Sequence, residues 1–303
     1  MANLAVKVAG VEFKNPLITA SGAYGYGKEY EQFYPLSSLG GISTKGTTLE
    51  PRMGNPAPRI AETPAGMLNS VGLENPGLDT FIEEGLPYLM TRGTTIVANI
   101  AGSTAEDCAE VARRLDETDV HMIELNISCP NVKHGGAAFG TSCDCAAQVT
   151  KAVRAATKKP LMVKLSPNVT SITDIAKAVE DAGADALSLI NTLLGMRIDI
   201  RTGRPILKQN VGGLSGPAVF PIAVRMVWQV ANAVEIPVVG MGGITRWQDA
   251  VEMMMAGASA FQVGAALFSD PMAPLEIIDG LNRYLDENNI KNVSDIVGSV
   301  KPW

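Results

Sequence analysis

Cys129 ends the stretch Glu124-Leu125-Asn126-Ile127-Ser128-Cys129, where an apolar, β-favouring run gives way to Pro130-Asn131 and a loop carrying Gly135 and Gly136. A thiol at such an exit can act as a base or nucleophile once some thiolate is available, although an isolated cysteine is more often a small buried hydrophobe. Polar side chains also end other apolar runs: Ser21, Lys45, Asn99, Asn126, Lys164, Asn191 and Thr192. Lysines and carboxamides are expensive to bury without partners. Lys45 after Ile42-Ser43-Thr44 and Lys164 after Met162-Val163 therefore read as cations aimed at an anionic ligand. Either lysine alone could simply snorkel to solvent. The recurrence of polar strand ends favours a site.

Glycine turns supply the second kind of signal. Gly240-Met241-Gly242-Gly243-Ile244-Thr245 closes one apolar run and opens a helix, and Val263-Gly264-Ala265-Ala266 closes the last. Backbone N–H groups at such turns can hold a phosphate, although a Gly-Gly pair taken alone is often only turn geometry. A phosphate-bearing cofactor lying across these ends would explain the ring of amides and lysines around it. Cys108, Cys143 and Cys145 fall in helical patterns and read as structural, and Cys143-x-Cys145 lacks zinc-ribbon spacing. His121 and His134 have no His or carboxylate at ligand spacing, so no metal site is expected.

Eight runs must position these residues: Leu17–Ser21, Gly41–Lys45, Thr95–Ile100, Met122–Ser128, Leu161–Leu165, Ala186–Asn191, Pro237–Met241 and Ala260–Val263. Most are continuous rather than alternating, as parallel strands buried on both faces require. Helical patterns lie between them, with cap signals at Ser103-x-x-Glu106, Ser171-x-x-Asp174 and Thr245-x-x-Gln248. The near copies Ala182-Gly183-Ala184-Asp185-Ala186-Leu187 and Ala256-Gly257-Ala258-Ser259-Ala260-Phe261 each end a helix and enter a strand. The spacing predicts an α/β fold, a (β/α)8 TIM barrel behind an N-terminal β-hairpin (Val6, Val8, Val11, Phe13). Extended loops are expected at Glu50–Asn75, Asn131–Thr141 and Leu193–Gly216, all at C-terminal strand ends. A doubly wound sheet is the rival, but no strand leads into a full G-x-G-x-x-G fingerprint.

The 303 residues are expected to form one domain, 1–303. A hydrophobic share of 46% supplies an ample core, and the net charge of −6 without a basic tract argues against nucleic-acid binding. No apolar run reaches the roughly 20 residues of a membrane span, and no signal peptide is read. A cytoplasmic location with reduced thiols is expected.

In order along the chain, the segments resemble those of the dihydroorotate dehydrogenase family. They are Ala20-Ser21-Gly22, Ser43-Thr44-Lys45-Gly46, Met67-Leu68-Asn69-Ser70-Val71-Gly72-Leu73, Asn126-Ile127-Ser128-Cys129-Pro130-Asn131 and Lys164-Leu165-Ser166-Pro167. Ile190-Asn191-Thr192, Gly212-Gly213-Leu214-Ser215-Gly216 and Gly240-Met241-Gly242-Gly243-Ile244 complete the set. Membrane-bound members carry an N-terminal helical extension and a serine base; this chain opens at the hairpin and carries Cys129. The loop Asn131–Gly140 and the segment Gly195-Met196-Arg197-Ile198-Asp199 are similar to those of the NAD-linked class 1B catalytic subunits rather than of the fumarate-using relatives.

The resemblance implies FMN-dependent oxidation of (S)-dihydroorotate to orotate in pyrimidine synthesis. Cys129 would be the base that takes the C5 proton. The FMN ligands would be Ser21, Lys45, Gly46, Asn99, Asn126, Lys164, Ile190, Gly216, Gly242, Gly243, Gly264 and Ala265. Lys45, Asn69, Ser70, Val71, Gly72, Leu73, Asn126, Asn191 and Thr192 would hold the substrate. The family also implies a homodimer joined to two electron-transfer subunits holding FAD and a [2Fe-2S] cluster. This chain has neither a four-cysteine cluster pattern nor a dinucleotide fingerprint, so NAD as acceptor would require such a partner. The alternatives are another FMN barrel oxidoreductase, using a different dihydropyrimidine or fumarate, and a phosphate-binding barrel lyase or isomerase.

Overall fold

A computed structural model describes residues 2–128 and 139–303. The chain enters through an antiparallel hairpin, β1 (Val6–Val8) and β2 (Val11–Phe13), with Val6 opposite Phe13. Phe13 is buried, and a Cβ on Gly41 would stand 2.8 Å from its ring, so the hairpin packs against the start of a barrel strand.

Eight parallel strands then close into a barrel. They are β3 (Leu17–Thr19), β4 (Gly41–Ser43), β7 (Thr95–Ile100), β8 (Met122–Asn126), β9 (Leu161–Lys164), β10 (Ala186–Leu189), β15 (Val238–Met241) and β16 (Ala258–Val263). The sequence runs map onto them one for one, because strands covered on both faces are predominantly apolar. Several end earlier than their apolar runs. Beyond Ser43, for example, the Lys45 N–H turns to the Gly25 carbonyl and the Thr47 N–H to that of Asn99. The strand-end residues thus leave the ladder and splay around the rim.

The intervening helices bury their apolar faces against the barrel; Ala105–Asp116, for instance, buries Cys108, Val111, Ala112 and Leu115. Ser171 caps the helix Ile172–Asp181 as expected, its hydroxyl accepting from the Asp174 N–H. Two other caps sit one residue later than expected. The box at Ala105–Asp116 is Thr104 with Asp107, and at Trp247–Met255 the Asp249 carboxylate accepts from the Thr245 and Arg246 N–H groups. In both, an aspartate one position past the expected Glu or Gln reaches back to the backbone.

Two of the three long loops join into one structure. β5 (Ile60–Thr63) and β6 (Gly66–Asn69) come from the first, and β11 (Leu193–Gly195) and β14 (Gly212–Ser215) from the last. They pair antiparallel in the order β11-β14-β6-β5, with Leu214 opposite Leu68. A small hairpin, β12 (Ile198–Asp199) and β13 (Arg204–Pro205), extends from it. Of the middle loop, Phe139–Thr141 forms a 3-10 turn; Cys129 and 130–138, including His134, lie outside the described residues.

Candidate active site

The strand ends and the four-stranded sheet enclose one cavity. At its base is a side chain that the sequence reading passed over. Glu124 sits mid-strand in β8, fully buried, and its carboxylate accepts four hydrogen bonds. Ser43 Oγ (2.6 Å) and Asn99 Nδ2 (2.7 Å) donate to one oxygen. Ser188 Oγ (2.7 Å) and Gln262 Nε2 (2.8 Å) donate to the other. The donors come from β4, β7, β10 and β16, so the network crosses the barrel interior. Burial pushes the carboxyl up, but the charge of Lys164 and these donors outweigh it and hold it below its ordinary value.

Lys164 ends β9 beside this carboxylate, across from Asn126 in the ladder. Burial lowers its pKa, and the Glu124 charge only partly opposes that. Lys45 is also lowered by burial, against the opposing charge of Glu74. Both cations line the cavity with Asn99, Asn126, Asn191 and Thr192. At the rim, Asn126 Oδ1 accepts from the Ser128 hydroxyl at 2.8 Å, and Ser128 Oγ accepts from Asn191 Nδ2 at 2.6 Å. This relay holds two of the expected substrate-reading amides in fixed relation. Asn69, on β6, reaches the cavity from the sheet above, together with Val71, Gly72 and Leu73.

The remaining expected cofactor contacts, Ser21, Gly46, Ile190, Gly216, Gly242, Gly243, Gly264 and Ala265, line the same cavity. Gly242 and Gly243 have φ of 120° and 78°, and a Cβ on Gly243 would stand 2.7 Å from that of Phe220. Glycine is required there both for the turn and for the close approach. The N–H groups of Gly242, Gly243, Gly264 and Ala265 find no backbone acceptor among the described residues, an arrangement suited to phosphate oxygens.

One expected contact does not reach the cavity. Ser70 is buried and absent from the lining, while Asn69 and Val71 on either side are present. Side chains alternate along an extended segment, so Ser70 points the other way. Sequence reasoning missed, among other lining and supporting residues, the polar Gln262 and Glu124 at the base. Each left a signal: a polar residue amid Ala-Phe-Gln-Val or Met-Ile-Glu-Leu, where a strand buried on both faces has no solvent to offer. Among the described residues, no group of three or more His, Cys, Asp or Glu side chains could hold a metal ion, and no helix is long and apolar enough to cross a membrane.

The family model described as dihydroorotate dehydrogenase matches residues 3–285. The chain is 55% identical over 302 residues to the dihydroorotate dehydrogenase B (NAD(+)) catalytic subunit of Bacteroides thetaiotaomicron, covering 99% of this chain and 100% of that one. It is 56% identical over 299 residues to the catalytic subunit of the same name from Geobacillus kaustophilus, covering 98% and 96%. The Alkaliphilus metalliredigens catalytic subunit is 54% identical over 298 residues, covering 98% and 99%.

Proposed function

The chain belongs to the dihydroorotate dehydrogenase family, and from that premise we infer that it oxidises (S)-dihydroorotate to orotate in pyrimidine biosynthesis, with electrons passing ultimately to NAD. The observation that carries this reading is near-full-length identity to NAD-linked catalytic subunits, joined to one cavity lined by the polar strand ends.

The donor set of the cavity supports FMN as the group it holds. Lys45, Asn99, Asn126 and Lys164 line it and offer charge and hydrogen bonds to a polar ring system. The glycine turns after β15 and β16 supply amide N–H groups for a phosphate. Ser21, Gly46, Ile190 and Gly216 complete the ligand set. FMN, when bound, supplies the two-electron acceptor for the hydride at C6.

The chain's own groups then divide the work. Lys45 holds the substrate carboxylate by charge, aided by the backbone at Val71, Gly72 and Leu73. Asn69, Asn126, Asn191 and Thr192 read the ring's donors and acceptors and set its orientation. Cys129 takes the C5 proton, which is acidified by the neighbouring carbonyl. Lys164 stabilises negative charge on the cofactor side of the cavity. FAD and an iron–sulfur cluster belong to a separate electron-transfer subunit, two of which join a dimer of this chain in the cytoplasm.

Anaerobic addition of dihydroorotate to the purified yellow protein tests the reaction. The flavin bands should bleach with dihydroorotate and persist with dihydrouracil. A colourless protein that takes up no FMN overturns the reading. NAD reduction should appear only when the electron-transfer subunit is added. Cys129→Ala should lower turnover by about 10²–10⁴ with FMN content unchanged; near-normal turnover would remove Cys129 from the role of base.

A further inference from the structure

Between the end of β10 at Leu189 and the start of β11 at Leu193, the residues Ile190, Asn191 and Thr192 carry the chain from the barrel rim into the covering sheet. The first two are tied to the barrel by their own backbone. The Ile190 N–H donates to the Met241 carbonyl at 2.9 Å, and the Asn191 N–H to that of Leu165 at 3.1 Å. Thr192 is held by side chains. Its N–H donates to Asn191 Oδ1 at 2.9 Å, and its carbonyl accepts from Asn168 Nδ2 at 3.0 Å.

Asn168 is not part of the cavity lining; it lies in the turn that leads from β9 to the helix capped by Ser171. Its carboxamide is used at both ends. While Nδ2 donates to Thr192, Oδ1 accepts from the Leu194 N–H at 2.9 Å, so one planar amide brackets the start of β11. Asn168 is itself fixed from the barrel side, because its N–H and Nδ2 both donate to Oγ of the buried Ser166, at 3.2 and 3.4 Å. The Thr192 side chain has a second support. A Cβ on Gly213 would stand 2.0 Å from Thr192 Oγ1, so only glycine at that point of β14 leaves the hydroxyl its place. Thr192 thus enters the cavity with β14 against its side chain and Asn168 on its backbone. Hydrogen bonds weaken steeply once donor and acceptor leave line, so a small turn of this backbone is felt at the ligand.

We propose that Asn168 is a positioning residue for the substrate site: by joining the Thr192 carbonyl to the Leu194 N–H, it fixes the backbone that aims Thr192 into the cavity, and so sets how tightly the pyrimidine ring is held. The proposal rests on the reading of Thr192 as a substrate contact.

Asn168→Ala and Thr192→Ala, made singly and together in the FMN-loaded protein, test it. Calorimetry reads the affinity for orotate, which offers the ring and carboxylate of the substrate. Rapid mixing with saturating dihydroorotate reads the limiting rate of flavin reduction. Asn168→Ala should weaken orotate binding by about tenfold, with FMN content native and the limiting rate within about threefold of native, as for loss of uniform binding. Thr192→Ala should weaken it at least as much. The two losses should not multiply: the double variant should bind orotate within about twofold of Thr192→Ala, because Asn168 then has nothing left to aim.

Losses that multiply would show that Asn168 acts elsewhere, and native affinity in Asn168→Ala would show that Thr192 keeps its place without it. A limiting rate that falls as far as the affinity would show a site deformed as a whole. Each of these results overturns the proposal. Native affinity in Thr192→Ala would instead strike Thr192 from the substrate contacts, and the proposal would go with that reading. Should Asn168→Ala fail to fold or to keep FMN, Asn168→Asp carries the same cycle, since it keeps an acceptor for Leu194 and loses the amide donor to Thr192.

Discussion

At the base of the cavity, Glu124, Asn99, Ser43, Ser188 and Gln262 are all nearly sealed from solvent, while above it the sheet β11-β14-β6-β5 carries Ile60 and Leu194 more than half exposed. The base is built from side chains locked to each other across parallel strands. The sheet above is built from backbone pairing between two distant loops, with glycines where strands and neighbours touch. The base thus fixes chemical identity, donor by donor, while the sheet mainly fixes distance and cover and contributes the one carboxamide of Asn69. Damage to the base should change what is bound and what it does. Damage to the sheet should change how well a substrate is held.

Removing the buried cation tests that division most severely. Lys164→Ala should lower turnover by about 10²–10³, as expected for loss of a preorganised charge at a reacting cofactor. FMN should also wash out on desalting, read by absorbance. Turnover and flavin content both near native would dissolve the distinction drawn for the base.

A smaller effect, on the other side of the comparison, is expected from Gly66→Ala. The φ there is 156°, and a Cβ would lie 2.0 Å from the Ser215 carbonyl oxygen across the β6–β14 pair. The strands must part, at a cost of about 1–3 kcal/mol. The expected signature is a several-fold rise in KM with FMN content falling less than in Lys164→Ala, since the strain also reaches Gly216, measured by steady-state kinetics and flavin absorbance. Loss of FMN as complete as in Lys164→Ala would show that the sheet holds the cofactor as firmly as the base does.

The mildest test needs no substitution. Burial lowers Lys45 from its ordinary 10.5, so it sheds its proton before a solvent lysine does. An anionic substrate then loses its charge partner, and KM should climb at a pH below 10.5 while the Lys45→Arg protein keeps a flat profile. A native KM that stays flat to that pH would remove Lys45 from the carboxylate site.

Much of this molecule follows from the order of residues alone. The eight apolar runs, most with a Ser, Lys, Asn or Gly at or near the C-terminal end, define eight strands and one functional rim, because a strand covered on both faces is predominantly apolar and its polarity gathers at its ends. The same logic brought Lys45, Asn99, Asn126, Lys164 and Asn191 to a single cavity. The misreadings are local: two caps moved by one residue where an aspartate lay one place further on.

What only the tertiary structure decided is long-range pairing. Nothing in the two glycine-interrupted loops announces that Leu68 will lie opposite Leu214, since neither alternates long enough to read as a strand and each lacks its partner until the barrel has closed. Glu124 is the same lesson at the scale of one side chain. A lone acid in an apolar strand is a puzzle in the sequence; it becomes tolerable, and informative, only when residues 43, 99, 188 and 262 deliver four donors to it from four strands.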